Sequence, residues 1–318
     1  MSHVEMNALV FLVAFVFEML WVEGKVLGWG VPHIVCGLGN LVSGFEKLLY
    51  AKRKINGLIV VLVLVFGVFF LAFFGLFWLR EITVAYLVVS SFLTYQVLAG
   101  SLLIRTGHQV FDFLENGELV LARERLTWLV GRDTHELTDQ EIRQAALESM
   151  AENLSDGMIA PMFYFLLAGV PGMMAYKMIN TLDSRFGYKN EKFAEFGYFS
   201  AKLDDASNWI PARITALLMA FSAPGSLRRS LRFIRKFGRA HLSPNAGYPE
   251  AALAGVLDCQ FGGAHDYGGV LVEKDKIGEH SRSLNGSDVE IATRVNRRSA
   301  VLFFCIVEGV LIGMEMIL

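Results

Sequence analysis

The placing of apolar residues constrains this chain more than any other feature. They run in blocks about as long as a bilayer is thick. A helix needs about 20 mainly apolar residues to cross the hydrocarbon core. Four stretches meet that length: 4–22, 58–79, 82–104 and 299–318. The second and third are joined by Arg80 and Glu81 alone, which predicts a tight helical hairpin. The first lacks a basic leader segment and an A-x-A-like cleavage site, so it is expected to be a retained span. Of 318 residues, 54% are hydrophobic and only 19% charged, against roughly 25% charged in an average soluble domain. The expected fold is all-α: a polytopic helical membrane protein, one integral-membrane domain over 1–318 with helical cytoplasmic loops and room for re-entrant or interfacial helices.

Two further apolar stretches leave their path open. Residues 157–179 are long enough to cross but are broken by Pro161, Gly169, Pro171 and Gly172; residues 209–223 are short and carry Arg213 after Pro211. Irregular backbone at membrane depth is tolerated only where protein or a watery cavity covers it, so each could be a kinked span, a re-entrant hairpin or a packed helix. Lysine and arginine bias sets orientation. Lys25, Lys47, Lys52, Arg53 and Lys54 follow the first span, and six cations crowd 226–241 (Arg228, Arg229, Arg232, Arg235, Lys236, Arg239). Leu227, Leu231, Ile234, Phe233 and Phe237 recur at helical spacing there, which predicts a basic amphipathic helix against an anionic membrane surface. The alternative is a solvated charged face. Loops 23–57 and 105–298 are expected on the cytoplasmic side, with both termini periplasmic.

Net charge is −2, so no basic field attracts nucleic acid. Cys36, Cys259 and Cys305 lie far apart and suggest neither a bridge nor a zinc site; small buried hydrophobes are expected. Phosphate-loop, dinucleotide, zincin and nucleophile-elbow patterns are absent. What stands out is a density of acids and amides between Arg132 and Arg213. In 138–156, Thr138 and Glu141 form a capping box. Glu141, Glu148, Glu152 and Asp156 then fall close to one helix face, with Arg143 nearly the only cation in the run. Asn180 and Asp183 stand one turn apart beside Arg185. Asp204, Asp205 and Asn208 precede the Pro211–Arg213 turn. Hard oxygen ligands suit Mg²⁺, which binds through one or two carboxylates and substrate phosphates, and guanidinium forks match phosphate oxygens. Any one segment is explained by solvated faces and turns; three within 80 residues, beside membrane stretches, predict a shared site. In 243–269, Pro249 suits a helix first turn and the paired glycines 262–263 and 268–269 suit tight turns, so a loop-helix-loop packing element is expected.

Together these segments resemble the CobD/CbiB family of membrane-bound adenosylcobinamide-phosphate synthases. The resemblance is carried by VGRDT (130–134), ESMAENLSDGMIAPMF (148–163), NTLDSRFGY (180–188), DDASNWIPAR (204–213) and SPNAGYPEAALAG (243–255) with the following glycine pairs. It covers the chain from about residue 34 onward, in the family's order and spacing. Residues 17–42 depart from the pattern, with Glu18 near the expected acid and Pro32-His33 in reversed order.

The resemblance implies an ATP-driven amide ligase of cobalamin biosynthesis in the inner cell membrane. Its partners would be adenosylcobyric acid and (R)-1-amino-2-propanol O-2-phosphate, with Mg²⁺ and ATP required. Docking by other cobalamin-assembly enzymes and a homo-oligomer are compatible with it. On this reading Asp156, Asp183, Asp204 and Asp205 bind metal, and Glu152 is the base. Arg132, Arg185 and Arg213 meet phosphate, while Asn153, Asn180, Asn208 and Asn245 orient substrate amides. Two alternatives are a non-enzymatic AmpE-like signalling protein and another Mg²⁺-dependent membrane enzyme acting on a phosphorylated substrate. The retained acidic runs tell against the first, and the SPNAG stretch has no role in the second.

Overall fold

A computed structural model describes residues 2–20, 33–131, 133–188, 190–266 and 271–317. The protein is an all-α polytopic membrane protein. Its helices are α1 (His3–Leu20), α2 (Ile34–Leu49), α3 (Lys54–Leu79), α4 (Thr83–Val97), α5 (Gly100–Glu115), α6 (Leu119–Leu126), α7 (Asp139–Leu154), α8 (Ala160–Phe186), α9 (Tyr198–Ser207), α10 (Trp209–Ser222), α11 (Leu227–Phe237), α12 (Gly247–Leu257) and α13 (Gly286–Ile317). One antiparallel hairpin, β1 (Phe261–Asp266) with β2 (Leu271–Ile277), interrupts this where the paired glycines had predicted only turns. Among the described residues, the helical runs 54–79, 83–115, 139–186 and 286–317 are long and apolar enough to cross a bilayer. The chain forms two compact units: residues 1–99, 160–208 and 304–318, and residues 100–159 and 209–303.

In the first unit α3 shows why these helices belong in lipid. An apolar helix of this kind normally hides all round, yet Phe66 and Phe74 are each 54% exposed and Leu71 76%. Its other side packs Val60, Val61, Leu64 and Val68 against protein. Phe11 and Phe15 of α1 stack on Phe304 of α13 at 5.3 and 4.1 Å. Glu308 lies four residues further along α13, with its Oε1 buried in protein and accepting no hydrogen bond.

The predicted run 82–104 is not one straight helix. Leu98 takes extended backbone (ψ 134°), and the chain restarts as α5 in the second unit. The interrupted stretch 157–179 behaves differently. It begins with a π-helical turn at Ser155–Ile159 and breaks again inside α8 at Ala168 and Gly169 (φ 61°). Twelve helical residues would span about 18 Å, yet the Tyr164 and Tyr176 rings stack at 5.0 Å. The two halves of α8 therefore fold back on each other. Gly169 supplies the left-handed backbone that a side chain resists.

The second unit packs α7, α10 and α11 around α12. The α7 capping box is present, with Glu141 Oε2 accepting from Thr138 N at 2.8 Å. The acidic face of α7 is less bare than its spacing predicts: Glu148 accepts from Gly262 N and Gln144 Nε2, both at 2.8 Å. One side of α11 packs on α12, burying Phe233 and Ser230, while Leu231 of the predicted apolar stripe stays exposed. Arg229 pairs with Asp258, and Arg232 and Lys236 with Glu279. The three cysteines are unbridged; Cys259 is buried, while Cys36 and Cys305 are exposed rather than buried as expected.

Candidate active site

In the first unit the folded-back α8 builds the ground on which α9 ends. Tyr164 Oη donates to Ser207 O at 3.0 Å and Tyr176 Oη to Asn208 Oδ1 at 2.8 Å. Asn208 Nδ2 in turn donates to Asp204 Oδ2 at 3.0 Å. Asp204 Oδ1 is buried and accepts no hydrogen bond. Burial pushes the Asp204 carboxyl up to about 6, and the Asp205 charge adds to this; hydrogen bonds from Asn208 and Asn180 and the Lys177 charge pull the other way. Asp205 itself faces Lys202 at 3.7 Å.

Asn180, Asp183 and Arg185 follow on the last turns of α8. Asp183 Oδ1 lies over Gly187, and any Cβ there would overlap it. That explains why a glycine ends this acidic turn. Arg185 reaches α2, its guanidinium 3.3 Å from where a Cβ on Gly39 would stand. His33 caps α2, its Nδ1 accepting from Val35 N at 3.3 Å. Burial and then the Lys177 charge hold its pKa below the usual imidazole value.

In the second unit Glu152, Asn153 and Asp156 stand half-buried where α7 passes into the π turn. Such one-turn π segments widen the helix and are frequent at functional sites. Asn153 Nδ2 donates to Ser149 O and Oγ at 3.0 and 2.8 Å. Arg213 of α10 donates to Trp209 O at 2.5 Å, Asn245 Oδ1 at 3.3 Å and Pro244 O at 3.5 Å. Its guanidinium lies between the Trp209 and Tyr248 rings, 4.1 Å from each centroid. The 243–246 turn is held by Ser243 Oγ, which accepts from Asn245 N and Ala246 N.

The structure thus brings Asn180, Asp204 and Asn208 together, sets Asp205 beside them, and joins Arg213 to Asn245. Arg132 and the divergent stretch 21–32 lie outside the described residues. Among the described residues no three His, Cys, Asp or Glu side chains converge as a protein-only metal cage. One or two carboxylates completed by phosphate oxygens is the Mg²⁺ habit, and the buried, hydrogen-bond-free Asp204 Oδ1 suits it. Sequence reasoning missed Tyr164, Tyr176 and Lys177. Lys177 had a signal: it is the one charged side chain within 157–179, and such residues at membrane depth mark function by default. The tyrosines had none, since only the reversal at Gly169 brings their rings together.

The model of the CobD/Cbib protein family matches residues 11–296. The chain is 42% identical to the cobalamin biosynthesis protein CobD of Clostridium perfringens over 81% of this chain and 84% of that one. It is 40% identical to the protein of that name from Geobacter metallireducens, over 87% and 88%, and 36% identical to that of Citrobacter koseri, over 97% and 99%. No solved structure matches.

Proposed function

Because the chain belongs to the CobD/CbiB family of cobalamin biosynthesis, we propose that it is the ATP-driven ligase joining aminopropanol phosphate to a propionate of adenosylcobyric acid. A carboxylate and an ammonium do not condense to a useful extent in neutral water. Phosphorylation of the propionate by ATP releases ADP and makes the carbonyl electrophilic. Attack by the amine then forms the amide and expels phosphate.

Each group of residues takes a part for which its chemistry suits it. Asp183, Asp204 and Asp205 of the first unit, and Asp156 of the second, are each proposed as Mg²⁺ ligands; the ion when bound would neutralise phosphate charge. Asn208, itself oriented by Tyr176, sets the Asp204 carboxylate. Arg185, Arg213 and Arg132 would hold phosphate oxygens. Glu152 would take the proton from the attacking ammonium. Asn153, Asn180 and Asn245 would meet the amides of the corrin rim.

The observation that carries the reading is the assembly of Asn180, Asp204 and Asn208, from two separate matched segments, around one buried carboxylate. The fold-back at Gly169 also supports a membrane path in which 157–179 would enter and return on the cytoplasmic side, where ATP is made, leaving 4–22, 58–79, 82–104 and 299–318 as the full spans. Asp156→Asn, Asp183→Asn and Asp205→Asn test the reading. Each should purify normally and lose most turnover; full Mg²⁺-dependent activity in all three would remove the assignment.

A further inference from the structure

An unbroken run of hydrogen bonds leads from His241 to Arg213, all of it within the second unit. His241 Nδ1 accepts from Ser243 N at 3.0 Å. Ser243 Oγ accepts from Asn245 N and Ala246 N at 3.2 and 3.4 Å. Asn245 Oδ1 and Pro244 O then accept from Arg213 at 3.3 and 3.5 Å. The first of these links fixes the tautomer. A ring nitrogen that accepts a hydrogen bond bears no proton, so the imidazole is neutral with its proton on Nε2. That nitrogen faces Glu250 Oε1 of α12 at 3.9 Å, and the two side chains are only 12% and 5% exposed. A carboxylate there favours the proton on the nitrogen turned towards it. Gly247 closes the other side: a Cβ on it would stand 2.9 Å from His241 Cβ and 2.8 Å from Gly238 O. The imidazole is thus seated on both sides, and the reaction as proposed gives it no part.

We propose that His241 is a positioning residue for Arg213 and Asn245: its Nδ1 holds the 243–246 turn, and the turn holds the guanidinium and the amide where substrate arrives. The inference rests on the phosphate role given to Arg213 above and adds His241, Ser243 and Glu250 behind it. His241 itself meets no substrate. Without its acceptor the Ser243 amide loses a bond beside a partly buried turn, which costs free energy, and the turn is free to shift. Arg213 would keep its stacking on Trp209 and Tyr248 but lose the two oxygens of the turn that aim its fork. Groups that meet a ligand depend on such supporting hydrogen bonds for their aim. Two substitutions separate this role from simple packing. Asparagine carries an acceptor at the Nδ1 position and bonds the N–H two residues on, as in an Asx turn. Glutamine carries its amide out to the Nε2 position, towards Glu250, and leaves Ser243 N without that bond.

Titration calorimetry on the full-length protein in detergent tests it, with O-phosphoethanolamine and ATP as separate probes. Arg213→Gln identifies the probe that the guanidinium holds, weakening it by about tenfold or more, the scale of a hydrogen bond to a charged group. His241→Gln should weaken that same probe by about threefold or more, while His241→Asn stays within about twofold of wild type. Ser243→Ala cuts the run one link further on, leaves the buried pair untouched and should weaken the same probe; it decides the matter if His241→Gln does not fold. Wild-type affinity in Ser243→Ala or in folded His241→Gln would overturn the proposal. Equal losses in His241→Asn and His241→Gln would overturn it too, as would an Arg213→Gln variant that binds both probes as wild type does. The expected pattern in a protein that makes no amide would keep the positioning role and discard the ligase reading.

Discussion

At the residue scale, Asp204 is where burial and chemistry oppose each other most sharply. Its folded pKa of about 6 lies above the ordinary value of 3.8, so its ionisation weakens the fold as pH rises through that window. Asp204→Asn carries no such penalty. The variant should melt no lower than wild type at pH 8 while losing Mg²⁺ binding, measured by thermal unfolding with and without the ion. A metal needs the ionised carboxylate, so wild-type Mg²⁺ affinity should fall as pH drops below about 6; a pH-independent affinity would remove Asp204 from the metal site. The acids of this cluster were legible in the sequence because Asx residues gathered between membrane stretches. Their order of importance was not. Glu148 looked equivalent to Glu152 by spacing, but its Oε1 accepts from both Gln144 and the Gly262 amide. At Cys259, burial raises the thiol to about 12, so thiol alkylation at pH 8 should label the exposed Cys36 and spare Cys259 until the protein is unfolded.

At the element scale, the α8 reversal depends on one residue with left-handed backbone. Gly169→Ala should cost on the order of 1–2 kcal/mol and separate the tyrosine pair, lowering turnover although position 169 meets no substrate. Thr138→Ala, which removes the α7 cap, should cost about 1 kcal/mol and leave turnover per folded molecule unchanged. Both changes are measurable as shifts in unfolding midpoint beside specific activity. Helix positions were largely legible because membrane length and capping chemistry are local. The break at Leu98 was not, since nothing apolar or polar changes there, and neither was the seating of α11 on α12, because an apolar stripe looks the same facing lipid or protein. Membrane path gives a further prediction. A cysteine placed beside Lys192 should resist an impermeant reagent in intact spheroplasts and react once they are opened; labelling in intact spheroplasts would show that 157–179 crosses completely.

At the scale of the whole molecule, the family was legible from five ordered motifs, and the match over 11–296 bears it out. The motifs are distributed over two compact units, which residue spacing alone does not reveal because each unit is assembled from distant segments. The central claim is the reaction itself. Purified protein in lipid nanodiscs, given adenosylcobyric acid, aminopropanol phosphate, ATP and Mg²⁺, should form adenosylcobinamide phosphate with one ADP and one phosphate per amide, and nothing when any component is omitted. Folded protein that leaves both the corrinoid and ATP unchanged under those conditions would contradict the account.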